Sequence, residues 1–117
     1  MIRRDGLIVQ KSLTLSTAII KFCILLSERK QFVISNQLLK SGTSVGANVF
    51  EAQYAESRLD FIHKMKIAQK EANETLYWFL ICEKMQESTE HKELIKLINE
   101  ILAILSKIIT TSKKNLN

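Results

Sequence analysis

Residues 91–111, HKELIKLINEILAILSKIITT, decide the fold. Leu94, Ile95, Leu97, Ile98, Ile101, Leu102, Ile104, Leu105, Ile108 and Ile109 recur at three- and four-residue spacing, which gathers them on one side of an α-helix at about 100° per residue. A strand would need strict alternation, which is absent here. The arc spans roughly 180°, wider than the ~100° stripe of an ordinary core-facing helix, so part of it is expected to meet a second surface. Its edge, Ile95, Leu102 and Ile109, repeats every seven residues, as a helix-to-helix seam does. Ser88 and Thr89 are its N-cap candidates, and Glu90 and Glu93 suit the positive end of its dipole.

The preceding segment shows the same period. Ser57 followed by Asp60 predicts a variant capping box that opens a long helix over about Arg58 to Gln86, with Phe61, Met65, Ala68, Ala72, Leu76 and Phe79 as its core stripe. Ile67, Trp78, Ile81 and Met85 lie away from that stripe and extend the surplus apolar surface. Near the start of the chain, Leu15, Ala18, Ile19, Phe22, Cys23 and Leu26 predict a first helix from about Ser12 to Glu28. A polar connection from Arg29 to Phe32 follows. Ser35 is then the expected cap of a second helix running to about Ala55, with Ile34 stapled against Leu39.

Proline is absent and glycine occurs three times, which disfavours turn-rich β folds. With 117 residues and no linker-like stretch, one domain over 1–117 is expected: an all-α, up-down-up-down four-helix bundle whose surplus apolar faces drive homo-oligomerisation. Cys23 and Cys82 lie in apolar helical patterns without metal-ligand spacing and read as buried thiols of a reducing compartment. Lys21 interrupts the first apolar stretch and no small-residue cleavage site follows, so neither a signal peptide nor a membrane span is expected and the location reads as cytoplasmic.

Helix two divides into an apolar face (Leu38, Val45, Val49, Ala52) and a narrow polar stripe, Gln37, Ser41, Ser44, Asn48 and Glu51. Small residues between them permit close helix approach, and hydrogen bonding to a neighbouring helix is the favoured use of the stripe over ligand binding. The order Gln37-Leu-Leu-Lys-Ser-Gly-Thr-Ser-Val-Gly-Ala-Asn48-Val-Phe-Glu51-Ala, Ser57-Arg-Leu-Asp60-Phe-Ile, Ile67-Ala68 and Lys70-Glu71-Ala-Asn-Glu74-Thr-Leu-Tyr77-Trp78 resembles the 23S rRNA-intervening-sequence proteins. The Lys70–Trp78 run departs from the Gly-Ser-containing version common in that family and is similar to one of its subgroups. The resemblance implies a four-helix bundle assembled as a homopentamer and suspected of binding nucleic acid. It also implies kinship of fold with the accessory protein of diversity-generating retroelements, a basic pentamer that binds reverse transcriptase and RNA.

No catalytic constellation accompanies these features. Asp60 and His63 have the spacing of a carboxylate-bridged metal site, but His91 is the only other histidine and position 88 is Ser, so no cofactor or metal is expected. Glu71 and Glu74 form a carboxylate pair without a nucleophile or phosphate loop, and read as ion-pairing residues more readily than as acid and base.

Charge is more informative. Residues 1–30 hold six basic and two acidic side chains, a balance of +4, and residues 91–117 hold five and two, a balance of +3, leaving the middle slightly acidic. Up-down topology would bring Arg3, Arg4, Lys11, Arg58, Lys113 and Lys114 to one end, where oligomerisation multiplies them into a basic ring for RNA or DNA. The expected function is thus a non-enzymatic oligomeric adaptor, with Ile67, Trp78, Ile81, Met85, Ile95, Leu102 and Ile109 at its interface. The alternative is a protein-binding scaffold that uses the face around Trp78 and binds no nucleic acid.

Overall fold

The computed structural model describes residues 6–85 and 89–116, and among these the chain forms four α-helices: α1 (Leu7–Glu28), α2 (Phe32–Ala52), α3 (Arg58–Met85) and α4 (His91–Lys114). They form a four-helix bundle measuring 50 × 21 × 21 Å, in which α1 packs on α2 and α4, and α3 on α2 and α4. Leu15, Ile19, Leu26, Leu38, Val45, Val49, Met65, Phe79, Ile98, Ile101 and Leu105 fill its centre without solvent exposure.

The first helix starts at Leu7, ahead of the expected Ser12. Gly6 supplies the extended entry, and Ser12 lies inside the helix with its hydroxyl shared between Ile8 O (2.8 Å) and Val9 O (3.1 Å). Its end is a Schellman turn, with Gln31 N–H bonded to Leu26 O (2.8 Å) and Lys30 N–H to Ser27 O (2.9 Å). Lys30 occupies the left-handed position at φ 61°, where a side chain is strained and glycine is usual. Lys30→Gly is therefore expected to stabilise the protein by up to about 1 kcal/mol, read as a higher urea midpoint. An unchanged or lower midpoint would contradict this reading of the turn.

That turn leads straight into α2 at Phe32, so Ser35 is not the cap expected of it. Ser35 is buried against α1, donates to Cys23 O (3.1 Å) and lies 3.1 Å from Ser27 Oγ, while Cys23 Sγ donates to Ser35 O (3.3 Å). A buried hydroxyl needs a partner, and α1 supplies it. Ile34 lies inside α2 and not before its cap, so it is not the first residue of a hydrophobic staple with Leu39. Further along, a Cβ at Gly42 would overlap Ile19 Cδ1, and one at Gly46 would sit 3.2 Å from Ser16 Oγ, so these two glycines set how closely α1 and α2 approach. Helix two ends at Ala52, and the turn continues with three-residue hydrogen bonds as far as Ala55.

Ser57 caps α3 as expected, accepting from Asp60 N–H (3.0 Å), but Asp60 Oδ2 accepts from Glu56 N–H (3.1 Å) and not from the cap residue. The centre of its buried face is Ile62, Met65, Ala68, Ala72, Thr75, Phe79 and Cys82, with Phe61 and Leu76 at the margin. Glu90 caps α4 without a side-chain bond, Ser88 lies outside the described residues, and α4 runs one turn past Thr111 to Lys114. His91, 3% exposed, has no hydrogen-bond partner for either ring nitrogen among the described residues. His91→Leu is expected to raise stability by about 1–2 kcal/mol by removing an unsatisfied buried polar group. A lower melting temperature would contradict that.

By length and composition α1 is apolar enough to cross a membrane, with a mean hydropathy of 1.5 over 18 residues. In the bundle one face of it, including Leu15, Ile19, Phe22 and Leu26, is buried among the other helices.

Candidate functional site

The start of α1, the connection between α2 and α3 and the end of α4 converge. A cleft of about 310 Å³ is lined by Gly6, Leu7, Gln53, Phe61 and Ile108, and an open one of about 710 Å³ by Gln53, Ser57, Arg58, Phe61 and Ser112. Arg58, Lys113 and Lys114 are exposed around this end. Arg3 and Arg4 lie outside the described residues. Lys11 is engaged elsewhere: its ammonium group lies 2.8 Å from Glu100 Oε2 and holds that carboxyl below its usual range, so its charge is largely answered within the chain.

Lys66 belongs to the same region but is not among the residues expected there. It meets Lys113 side chain to side chain, and this contact, first by the hydrogen bond and then by charge repulsion, pulls the Lys113 pKa below its ordinary value. The sequence signal for Lys66 is its place eight residues after Arg58, two turns along α3; finding it requires knowing which face of α3 meets α4.

The apolar surface is distributed differently from the expectation. Trp78, Ile81, Ile95 and Leu102 are half-buried and pack against the chain's own core, Ile67 is half-buried, Met85 is 43% exposed, and Ile109, at 6% exposure, is buried within the chain. The reason is the position of α4, which covers both α3 and α1 and so needs a wide apolar arc for its own bundle. Trp78 Nε1 donates to Glu74 Oε2 (3.3 Å) and its ring meets Tyr77 edge-on at 5.2 Å.

Large exposed apolar side chains lie along α1 and α2, with Leu13, Ile20 and Ile24 on the first and Leu39 and Phe50 on the second, and also on α3, at Leu59, Tyr77, Leu80 and Met85. Two shallow clefts follow the α1–α2 pair, about 480 Å³ beside Ile20, Ile24 and Leu39 and about 320 Å³ beside Leu13, Gly46, Ala47 and Phe50. Of the polar stripe on α2, Ser41 bonds a neighbouring helix among the described residues, its hydroxyl 3.0 Å from Thr75 Oγ1. Ser44 and Asn48 bond back to carbonyls of α2, and Glu51 is exposed.

No three His, Cys, Asp or Glu side chains among the described residues come close enough to hold a metal ion, and His63 is exposed. Cys23 and Cys82 are buried without a disulfide, and burial pushes the Cys23 thiol up in pKa despite its bond to Ser35. Both are expected to resist iodoacetamide in the native protein at neutral pH and to react fully in denaturant, as mass spectrometry would read. Rapid native labelling would contradict their placement.

A four-helix bundle with cations gathered at one end and an apolar groove between two of its helices belongs to a class of small helical-bundle proteins. Within that class the chain belongs to the 23S rRNA-intervening sequence protein family, whose model matches residues 4–107. It is similar, at 42% identity and a TM-score of 0.85, to a crystal structure of a protein of unknown function from the S23 ribosomal protein family of Bacteroides thetaiotaomicron VPI-5482, over 88% of this chain and 98% of that one. No curated protein matches it.

Proposed function

We propose that this chain is a non-enzymatic adaptor, an up-down-up-down bundle that assembles with copies of itself in the reducing cytoplasm and contacts RNA or DNA through its basic end. The observation that carries the reading is the meeting of Arg58 at the start of α3 with the last turn of α4, where Lys113 and Lys114 stand exposed. Up-down order is supported by the neighbours seen along the seams: Ser12 and Ser16 beside Gly46, Cys23 beside Ser35, Ser41 beside Thr75, Gln69 beside Ser106, and Lys11 beside Glu100.

Assembly is supported by the groove of α1 and α2. Its occupant in this reading is a second copy, because the half-buried Ile81, Ile95 and Leu102 offer an apolar strip on the opposite, α3–α4 side of the same bundle. Two different faces meeting make a heterologous contact, which closes into a ring when the rotation permits. Five copies are the number implied by the family resemblance.

Cations without a shape-specific pocket recognise phosphate backbones, with affinity that falls steeply with salt and little preference for sequence. Fluorescence polarisation of labelled RNA and DNA at 50 and 200 mM salt tests this. Binding that weakens at least tenfold over that range, and is abolished by charge reversal at Arg58, Lys113 and Lys114, is expected for several phosphate contacts. Salt-insensitive or absent binding would sink the reading in favour of a scaffold for another protein, for which the exposed groove of α1 and α2 offers more open apolar surface than the half-buried Trp78.

A further inference from the structure

We propose that the open cleft of about 710 Å³ between the start of α3 and the last turn of α4 seats the phosphate monoester of a nucleotide. That this nucleotide is the 5′ end of a strand rests on the function proposed above. The cleft is lined by Ser57 and Arg58 from α3 and its cap, by Ser112 from α4, and by Gln53 and Phe61. Ser112 is 6% exposed, yet its hydroxyl makes no hydrogen bond among the described residues and is not sealed from the cleft that it lines. Helical hydroxyls commonly bond back to the carbonyl one turn earlier, as those of Thr17, Thr43 and Ser44 do. Ser112 does not, and a buried polar group without a partner inside the chain points to one outside it.

The start of α3 supplies the positive side of the seat. Ser57 accepts from Asp60 N–H (3.0 Å), which leaves its own proton free to be donated, and the backbone N–H of Arg58 has no partner among the described residues. A helix N-terminus favours an anion, and the exposed Arg58 guanidinium can grip an oxyanion with two parallel bonds. The nearby acids are turned to other work: Glu56 and Asp60 line a separate cleft with Glu51, Tyr54 and Lys64, and Asp60 Oδ2 is taken up by Glu56 N–H. The partial negative charge of the last α4 carbonyls is offset by Lys113 and Lys114 in the same turn.

A phosphate monoester carries a charge of about −1.5 to −2 at neutral pH and three strong acceptor oxygens, enough for the guanidinium and both hydroxyls. A backbone diester has fewer free oxygens and a strand continuing on both sides, which fits poorly against a hydroxyl as recessed as that of Ser112. Gln53 and Phe61 also line the adjoining apolar cleft of about 310 Å³, so the group next to the phosphate meets an aromatic ring on which a base can stack.

The test compares the full chain with Arg58→Gln and Ser112→Ala, using Lys92→Gln at the start of α4 as control. Single-stranded RNA labelled at its 3′ end is titrated with either a 5′-phosphate or a 5′-hydroxyl, and adenosine monophosphate is titrated by NMR. The 5′-phosphate strand is expected to bind roughly tenfold tighter, a preference lost in Arg58→Gln and Ser112→Ala and kept in Lys92→Gln. The mononucleotide is expected to shift the signals of Arg58, Phe61 and Ser112. Ser112→Ala should melt no lower than the unaltered chain; a fall would show that the hydroxyl serves the fold and would overturn its place in the seat. RNA binding that is indifferent to the 5′ group, or a preference that survives both variants, would overturn the seat and leave the proposed function standing. No RNA binding by the unaltered chain, together with mononucleotide shifts that vanish in the variants, would overturn the function and uphold the seat for a free nucleotide. Silence in both titrations would overturn both.

Discussion

Phe79→Ala is expected to lower the unfolding free energy by about 3–5 kcal/mol. Phe79 has no solvent exposure, and its ring stands edge-on to Phe22 of α1, with centroids 6.2 Å apart and planes at 63°. Helices α1 and α3 do not share a seam; α2 and α4 lie between them on either side. The pair therefore spans the middle of the bundle, where the side chains around it cannot collapse far enough to refill the space. The loss comprises the transfer of the removed ring atoms, the cavity, and the edge-to-face contact, which adds about 0.5–1.5 kcal/mol. Against a typical total of about 5–15 kcal/mol, that makes the variant marginal. Urea unfolding at one fixed protomer concentration measures it, since the proposed self-association would contribute to apparent stability. A change below about 1 kcal/mol would mean that Phe79 and Phe22 do not close the centre of the bundle.

The second large effect concerns assembly rather than folding. Ile20→Glu combined with Ile24→Glu is expected to abolish the proposed self-assembly and leave the helical content of the protomer intact. These residues are 47% and 55% exposed and stand opposite the buried stripe of Leu15, Ile19, Phe22 and Leu26, so the bundle does not need them. An interface that covers them would have to desolvate two carboxylates without partners, at a cost of several kcal/mol per buried charge. The same change at Ile95 and Leu102 has a different signature. Those side chains also touch the chain's own core, so charge there is expected to lower stability together with assembly. If the α1 pair left the assembly unaffected while the α4 pair abolished it without loss of stability, the groove of α1 and α2 would not be the contact surface.

Periodicity makes the helices legible, and local chemistry misplaces some of their ends. The stripes of α3 and α4 stand out because their core-facing apolar residues keep a 3.6-residue repeat. The start of α1 is harder: Leu7, Ile8 and Val9 carry no cap before them except Gly6, which bonds through its backbone alone. Ser35 has the composition of a cap, and only the path of the Schellman turn at Lys30 reveals that its hydroxyl is spent on α1. Thr75 and Ser41 show the same limit, being polar in type and fully buried because each satisfies the other. The surface is the least legible part. Leu13, Ile20 and Ile24 share an outer face that the sequence contains plainly, yet the wide arc of α4 is the stronger signal, although α4 needs that arc to cover two neighbours. The convergence of Arg58 with the last turn of α4 follows from topology, while the contact between Lys66 and Lys113 depends on helix rotation, which composition does not encode.

The proposed function requires that this bundle carry more apolar surface than its own core covers and assemble from identical subunits. Size-exclusion chromatography with multi-angle light scattering at micromolar protomer concentration reads this. One species is expected at a whole multiple of the 13.4 kDa chain mass, five copies if the ring closes as the family resemblance implies, and it should fall to a single copy in the Ile20→Glu, Ile24→Glu variant. An unaltered chain that elutes and scatters as a 13.4 kDa monomer would contradict it.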